Sequence, residues 1–148
     1  MTLAGAPVET YVLHMARLVH LNGPPGIGKS TLARMYVHEH PLSFCLDIDA
    51  VRGLIGGWEE WPAESGKLAR RMALAMACEH LSSGYDVVVP QFVSRPEFIR
   101  QLADMARDVA ALFTEVVLLD VPEQANDRFA ARATDPVWAR HHEEAARQ

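Results

Sequence analysis

An α/β domain, with helices on both faces of a parallel sheet, is the fold class this sequence predicts, on three observations. Short runs of β-branched and aliphatic residues alternate with longer stretches of helical periodicity, the pattern of strand-helix-strand crossovers. The run Asp86-Val87-Val88-Val89-Pro90 is apolar throughout its middle, as a strand covered on both faces must be. The chain has 148 residues, 49% hydrophobic and 22% charged, the size and composition of one domain that buries about 68–70% of its unfolded surface without a disulfide or metal staple.

Residues 17–22 (RLVHLN) form the first expected strand, followed by a Gly/Pro-rich turn and a helix over about 29–38 that Pro41 stops. A second strand at 43–47 leads into a short helix near 50–55. Gly56, Gly57, Trp58 and Trp61 then mark an irregular stretch before a long helix over about 65–82, closed by Gly84. On that helix Leu68, Met72 and Met76 read as core. The third strand is 86–90. Pro96 and Glu97 open a helix that runs to about 112. A fourth strand at 114–121 and a fourth long helix at 122–133 precede a polar tail. Residues 1–16 are expected to be a poorly ordered leader, and residues 17–148 the folded domain.

Composition narrows the function classes. Fourteen Lys+Arg against 19 Asp+Glu give a formal charge of −5, which argues against binding nucleic acid through a bulk positive field. Cys45 and Cys78 do not make a secreted disulfide framework. No stretch reaches the length of a membrane span, and the N-terminus lacks a signal-peptide pattern, so the expected location is cytoplasmic. Lys29 and Lys67 are the only lysines, against twelve arginines.

Lys29 lies in the most specific motif. Gly23-Pro24-Pro25-Gly26-Ile27-Gly28-Lys29-Ser30 fits G-x-x-x-x-G-K-[ST], with Thr31 following, between an expected strand and an expected helix. In a phosphate-binding loop the glycines turn backbone N–H groups inward around the β-phosphate, and the helix start adds unpaired N–H groups and its positive dipole end. Lys29 supplies charge to the β- and γ-phosphates, Ser30 a hydroxyl to Mg²⁺, and Thr31 reaches the α-phosphate.

The chain resembles the P-loop small-molecule kinase group: AAA-type ATP-binding predicted kinases, with chloramphenicol phosphotransferase-like, gluconate-kinase-like, adenylylsulfate-kinase-like, polynucleotide-kinase-like and zeta-toxin-like members. The resemblance spans residues 17–132 and rests on GPPGIGKST, LDIDAVR (46–52), VVVPQFVSRPEF (87–98) and VVLLDVPEQANDRFAAR (116–132). It implies a three-layer P-loop NTPase fold with strand order 2-3-1-4, and ATP and Mg²⁺ as cofactors. The group continues into a fifth strand and a base-covering loop, which this chain does not recognisably contain before Gln148. The fourth strand is then an expected edge, which a homodimer would cover.

In the resembled group an Asp-x-x-Arg after the second strand faces the phosphoryl acceptor, and Asp49-Ala50-Val51-Arg52 has that spacing. Asp49 is the expected general base or a Mg²⁺ ligand; its other reading is the N-cap of the short helix, and the two are compatible. Asp47 is the weaker candidate, its other reading being that it only ends the strand. Arg52 is expected to clamp an anionic acceptor group, and Gln91 and Arg95 to lie over the acceptor. Arg128 and Arg132, four apart on one helix face, are the expected lid arginines. Trp58 and Trp61 fall in the region of acceptor specificity. Strand three ends in Pro90-Gln91 rather than a carboxylate, leaving Mg²⁺ to Ser30, water and Asp49 or Asp47. The expected activity is transfer of the γ-phosphoryl group of ATP to a hydroxyl of a small molecule, with no membrane partner. The rival readings are a nucleotide-binding switch or toxin-like regulator with little turnover, and a nucleic-acid end kinase. GTPase function lacks support, because no N-K-x-D motif occurs in the chain.

Overall fold

The computed structural model describes residues 15–119. Outside them lie most of the expected leader, the end of the expected fourth strand, the expected helix that would carry Arg128 and Arg132, the tail, and anything bearing on a fifth strand. The order of elements is β1 (Arg17–Asn22), α1 (Lys29–Glu39), β2 (Phe44–Cys45), α2 (Ile48–Gly53), α3 (Pro62–Ser82), β3 (Val87–Pro90), α4 (Pro96–Asp108) and β4 (Leu112–Val117). The strands form one parallel sheet, ordered β2-β3-β1-β4. The expected fold class and strand order are both observed.

Period-two alternation along the central strands divides the core into two layers. Leu18, Val87 and Val89 face one side, where they pack with Ala69, Ala73, Ala77 and Leu81 of α3 and with Phe98, Leu102 and Ala106 of α4. Leu21 and Val88 face the other side, against Ala33 of α1, with Val19, Tyr36 and Cys45 around them. Burial also pushes the Cys45 thiol pKa up, so it packs as a neutral apolar group.

At the edge of the sheet where the strands begin, Asp86 ties these layers together. Its carboxylate accepts from the Arg17 N–H at 2.8 Å and the Tyr36 hydroxyl at 2.6 Å, while its side chain is almost wholly buried. Burial, and then the hydrogen bond to Asp86, push the Tyr36 pKa up to about 12. The hydroxyl therefore stays a donor at neutral pH and pins α1 beneath the sheet.

The structure corrects three expectations. On α3 the buried stripe is Ser65, Ala69, Ala73, Ala77 and Leu81. Leu68, Met72 and Met76, read as core, are 45%, 44% and 39% exposed. Each sits one position before an alanine of the stripe, about 100° around the helix. Small residues win the sheet-facing positions because they let the helix approach closely. Second, β2 pairs with β3 over Phe44–Cys45 alone, because the next segment turns at once into α2. Third, α4 stops at Asp108 and β4 starts at Leu112, earlier than the apolar run through 112 predicts. Ala110 adopts a left-handed φ of 56°, while its N–H donates to the Arg107 carbonyl and the Ala111 N–H to the Ala106 carbonyl. This pair of bonds is a Schellman stop with alanine in the place glycine usually takes.

Alanine pays a left-handed cost of roughly 1–2 kcal/mol that glycine does not. Ala110→Gly is therefore expected to raise stability by up to about 1 kcal/mol, after allowance for glycine's greater unfolded-state entropy. Urea denaturation checks this; a lower midpoint in the variant contradicts the assignment of Ala110 as the helix stop.

Candidate functional site

Three segments leave the C-terminal ends of adjacent parallel strands and so share one edge of the sheet. They are residues 23–28 after β1, residues 46–49 after β2 and residues 91–95 after β3. Ligands of open α/β sheets bind at this edge.

The loop after β1 is shaped by close approach. Gly23 has φ 140°, and a Cβ there would lie 2.6 Å from the Leu118 carbonyl oxygen, so no larger residue fits at the loop's entrance. Gly28, at φ 105°, precedes α1, whose start carries no side-chain cap, as at helix starts that bind phosphate. Lys29 is largely buried, and its ammonium donates to the Gly23 and Pro24 carbonyls at 2.7 and 2.8 Å. Ser30 and Thr31 are exposed in the first turn of α1. Pro24, Pro25, Gly26 and Ile27 complete the loop, which a bond from the Ile27 N–H to the Pro24 carbonyl closes at 3.4 Å.

After β2, Asp47 rather than Asp49 caps α2. Its Oδ1 accepts from the Asp49 and Ala50 N–H groups at 3.0 and 3.2 Å. The reading of Asp49 as N-cap is corrected accordingly; Asp49 is exposed in the first turn of α2. Arg52 is half-buried and tethered: Nε donates to Ser65 Oγ at 2.9 Å, Nη2 to the Pro62 carbonyl at 3.2 Å, and the guanidinium lies 5.1 Å over the Trp58 ring. Trp58 therefore supports Arg52, whereas Trp61 is 63% exposed just before α3.

After β3, Gln91 is half-buried and its side-chain oxygen has no hydrogen-bond partner among the described residues. Arg95 is exposed at the start of α4.

Sequence reasoning missed the polar cluster beneath these loops, formed by His20, Asn22 and Glu115. His20 is fully buried, and its Nε2 lies 2.9 Å from the Gln91 carbonyl. A carbonyl only accepts, so Nε2 carries the proton. His20 Nδ1 is left 3.6 Å from Glu115 Oε1, with no hydrogen-bond partner among the described residues. Burial lowers the His20 pKa, against upward pulls from the Gln91 hydrogen bond and Glu115; Lys29 adds a smaller downward push. The signal was legible in principle: His20 and Asn22 interrupt a central strand that should be apolar on both faces.

Among the described residues, no group of three or more His, Cys, Asp or Glu is arranged to hold a metal. Nor is any helix among them long and apolar enough to cross a membrane. A hollow of about 500 Å³ lined by Phe44, Met76, Glu79 and His80 lies beside the beginning of β2, away from the phosphate loop.

A family model described as an AAA domain matches residues 18–148. The chain belongs to that family. No curated protein matches the sequence of this AAA-domain chain. Among solved structures it is similar to a cysteine-to-alanine mutant of the APS kinase CysC of Mycobacterium tuberculosis, at 19% identity and TM-score 0.59, covering 78% of this chain and 96% of that one. The same kinase in complex with AMPPNP and APS matches at 19% identity and TM-score 0.62, over 84% of this chain and 72% of that one. The Pnkp1/Rnl/Hen1 RNA repair complex matches at 20% identity and TM-score 0.61, over 86% of this chain and 41% of that one. At such identities the likeness is one of fold. The family is that of the AAA domain, and the fold is one it shares with these kinase structures.

The lowered His20 pKa sets a sign for stability against pH. The folded value lies below the ordinary 6.5, so the contribution is present above pH 6.5 and is lost as pH falls through the folded value. Melting temperature is expected to fall on acidification from about pH 7 to about pH 5, and less steeply in His20→Gln. Identical slopes in both proteins would contradict this role of His20.

Proposed function

We propose that this protein is a kinase that transfers the γ-phosphoryl group of Mg·ATP to a hydroxyl of a small molecule. The observation that carries this reading is the shared sheet edge, where the Lys29 loop stands beside a second set of polar groups on residues 47–52 and 91–95. A loop that only held nucleotide would not need the second set.

In this mechanism the loop N–H groups and Lys29 bind the β- and γ-phosphates. Lys29 exchanges its bonds to the Gly23 and Pro24 carbonyls for phosphate oxygens. The acceptor hydroxyl oxygen forms a bond to the γ-phosphorus, the bond from that phosphorus to the bridging oxygen breaks, and ADP leaves with the electron pair. Asp49 takes the hydroxyl proton. The Ser30 hydroxyl and the Asp49 carboxylate are exposed, hard oxygen donors that suit Mg²⁺, an ion held by one or two side chains together with phosphates and water. When bound, it would neutralise charge between the β- and γ-phosphates. Arg52 recognises an anionic part of the acceptor, with Gln91 and Arg95 beside it. Arg128 or Arg132 supplies the lid guanidinium.

A nucleic-acid end is the second reading, favoured by the likeness to the RNA repair complex. The formal charge of −5 weighs against it.

Lys29→Met is expected to keep the fold and lose the rise in melting temperature that Mg·ATP gives the unaltered protein. An equal rise in both proteins would remove the phosphate loop from the mechanism. Asp49→Asn is expected to bind nucleotide normally but transfer phosphoryl about 10²–10⁴-fold more slowly, the usual contribution of a positioned base. Turnover within a few fold of the parent would reassign Asp49.

A further inference from the structure

Asn22, the last residue of β1, uses the whole hydrogen-bonding capacity of its side-chain amide. Oδ1 accepts from the Gly23 N–H at 2.8 Å and from the Val93 N–H at 3.1 Å. Nδ2 donates to the Val93 carbonyl at 3.1 Å and to Glu115 Oε1 at 3.0 Å. The orientation is determined by these partners: turning the amide over would set its NH₂ against two N–H donors and its oxygen against a carbonyl and a carboxylate. The residue therefore joins the first amide of the phosphate loop, both polar groups of one residue after β3, and a carboxylate on β4.

The two bonds to Val93 extend the pairing of β1 with β3 beyond its last backbone pair, Leu21 with Pro90. Val93 in turn packs its side chain against the main core. The segment carrying Gln91 and Arg95 is thus held at its middle by a side chain whose own position is bound to Gly23. His20 supports the same segment from below through the Gln91 carbonyl.

We propose that Asn22 is a positioning residue that fixes the acceptor-side segment 91–95 relative to the phosphate loop, so that the two move as one unit. The functional meaning of this link rests on the kinase reading above; the link itself does not. Neither aspartate nor alanine can replace the amide. Aspartate loses both donors and sets a second carboxylate against Glu115, and alanine loses every bond.

Site-resolved amide exchange on the nucleotide-free full-length protein tests the link. Asn22→Ala is expected to speed exchange at Gly23 and Val93 together, each by about tenfold or more, with the N–H groups of α3 unchanged. Asn22→Asp is expected to do the same at Val93. Combining Asn22→Asp with Glu115→Gln returns a donor to the pair and is expected to restore most of the protection, a rescue that general loosening of the fold would not give. Protection at Val93 unchanged in Asn22→Ala, or no rescue in the double variant, overturns the proposal. Should Asn22→Ala fail to fold, the comparison of Asn22→Asp with the double variant decides alone. Calorimetry with Mg·ATP on the unaltered protein is the separate arm: absence of binding defeats the kinase reading and leaves the exchange result to judge Asn22.

Discussion

The placement of the phosphate loop and of the segments beside it depends on the parallel pairing of β1 on both of its edges. Leu18–Leu21 pair with β3 and Arg17–Asn22 with β4, so the chain leaves β1 between two strand ends that point the same way. At that exit, Gly23 passes close under the Leu118 carbonyl. The contact sets the entrance of the loop, and the start of α1 then sets its other end. What looks in the sequence like a flexible Gly/Pro-rich turn is a segment held at both ends, by the Gly23 contact and by the start of α1.

The same pairing explains which features were legible. The bounds of β1 followed directly from RLVHLN ending at a glycine, and the loop motif carried its own strand-helix context. Strand order came with the resemblance that the motif and the Asp-x-x-Arg spacing supported. The face of α3 was misread because hydrophobicity ranks Met72 and Met76 above alanine, whereas close packing on a sheet selects small side chains. The start of β4 was missed because Ala110 does the work for which glycine is the usual sign. The capping role went to Asp47 because β2 ends at Cys45, and strand length is set by tertiary pairing rather than by local sequence.

The polar groups of β1 illustrate a different limit. Alternation puts Leu18, His20 and Asn22 on one face of a central strand, yet their partners, Gln91, Val93 and Glu115, are about 70 to 95 residues distant along the chain. Only tertiary structure makes the pairing visible. The energetic reason for retaining such residues is also tertiary: a half-buried amide with every position satisfied favours one arrangement of the strands it joins.

Donor and acceptor sides of the edge differ in how their charged groups are held. The ammonium of Lys29 rests on two carbonyls of its own loop, bonds that phosphate oxygens can replace in kind, so nucleotide binding requires an exchange of partners and little rearrangement of the backbone. Arg52 is bound to Ser65 and Pro62 of the neighbouring helix and backed by Trp58, and Ser65 in turn donates to the Trp58 or Pro62 carbonyl. Its orientation therefore belongs to the packing of α2 on α3 and does not wait for a ligand. On the kinase reading proposed above, a cation whose present partners phosphate oxygens can replace, beside one fixed by packing, is the division that phosphoryl transfer by positioning requires.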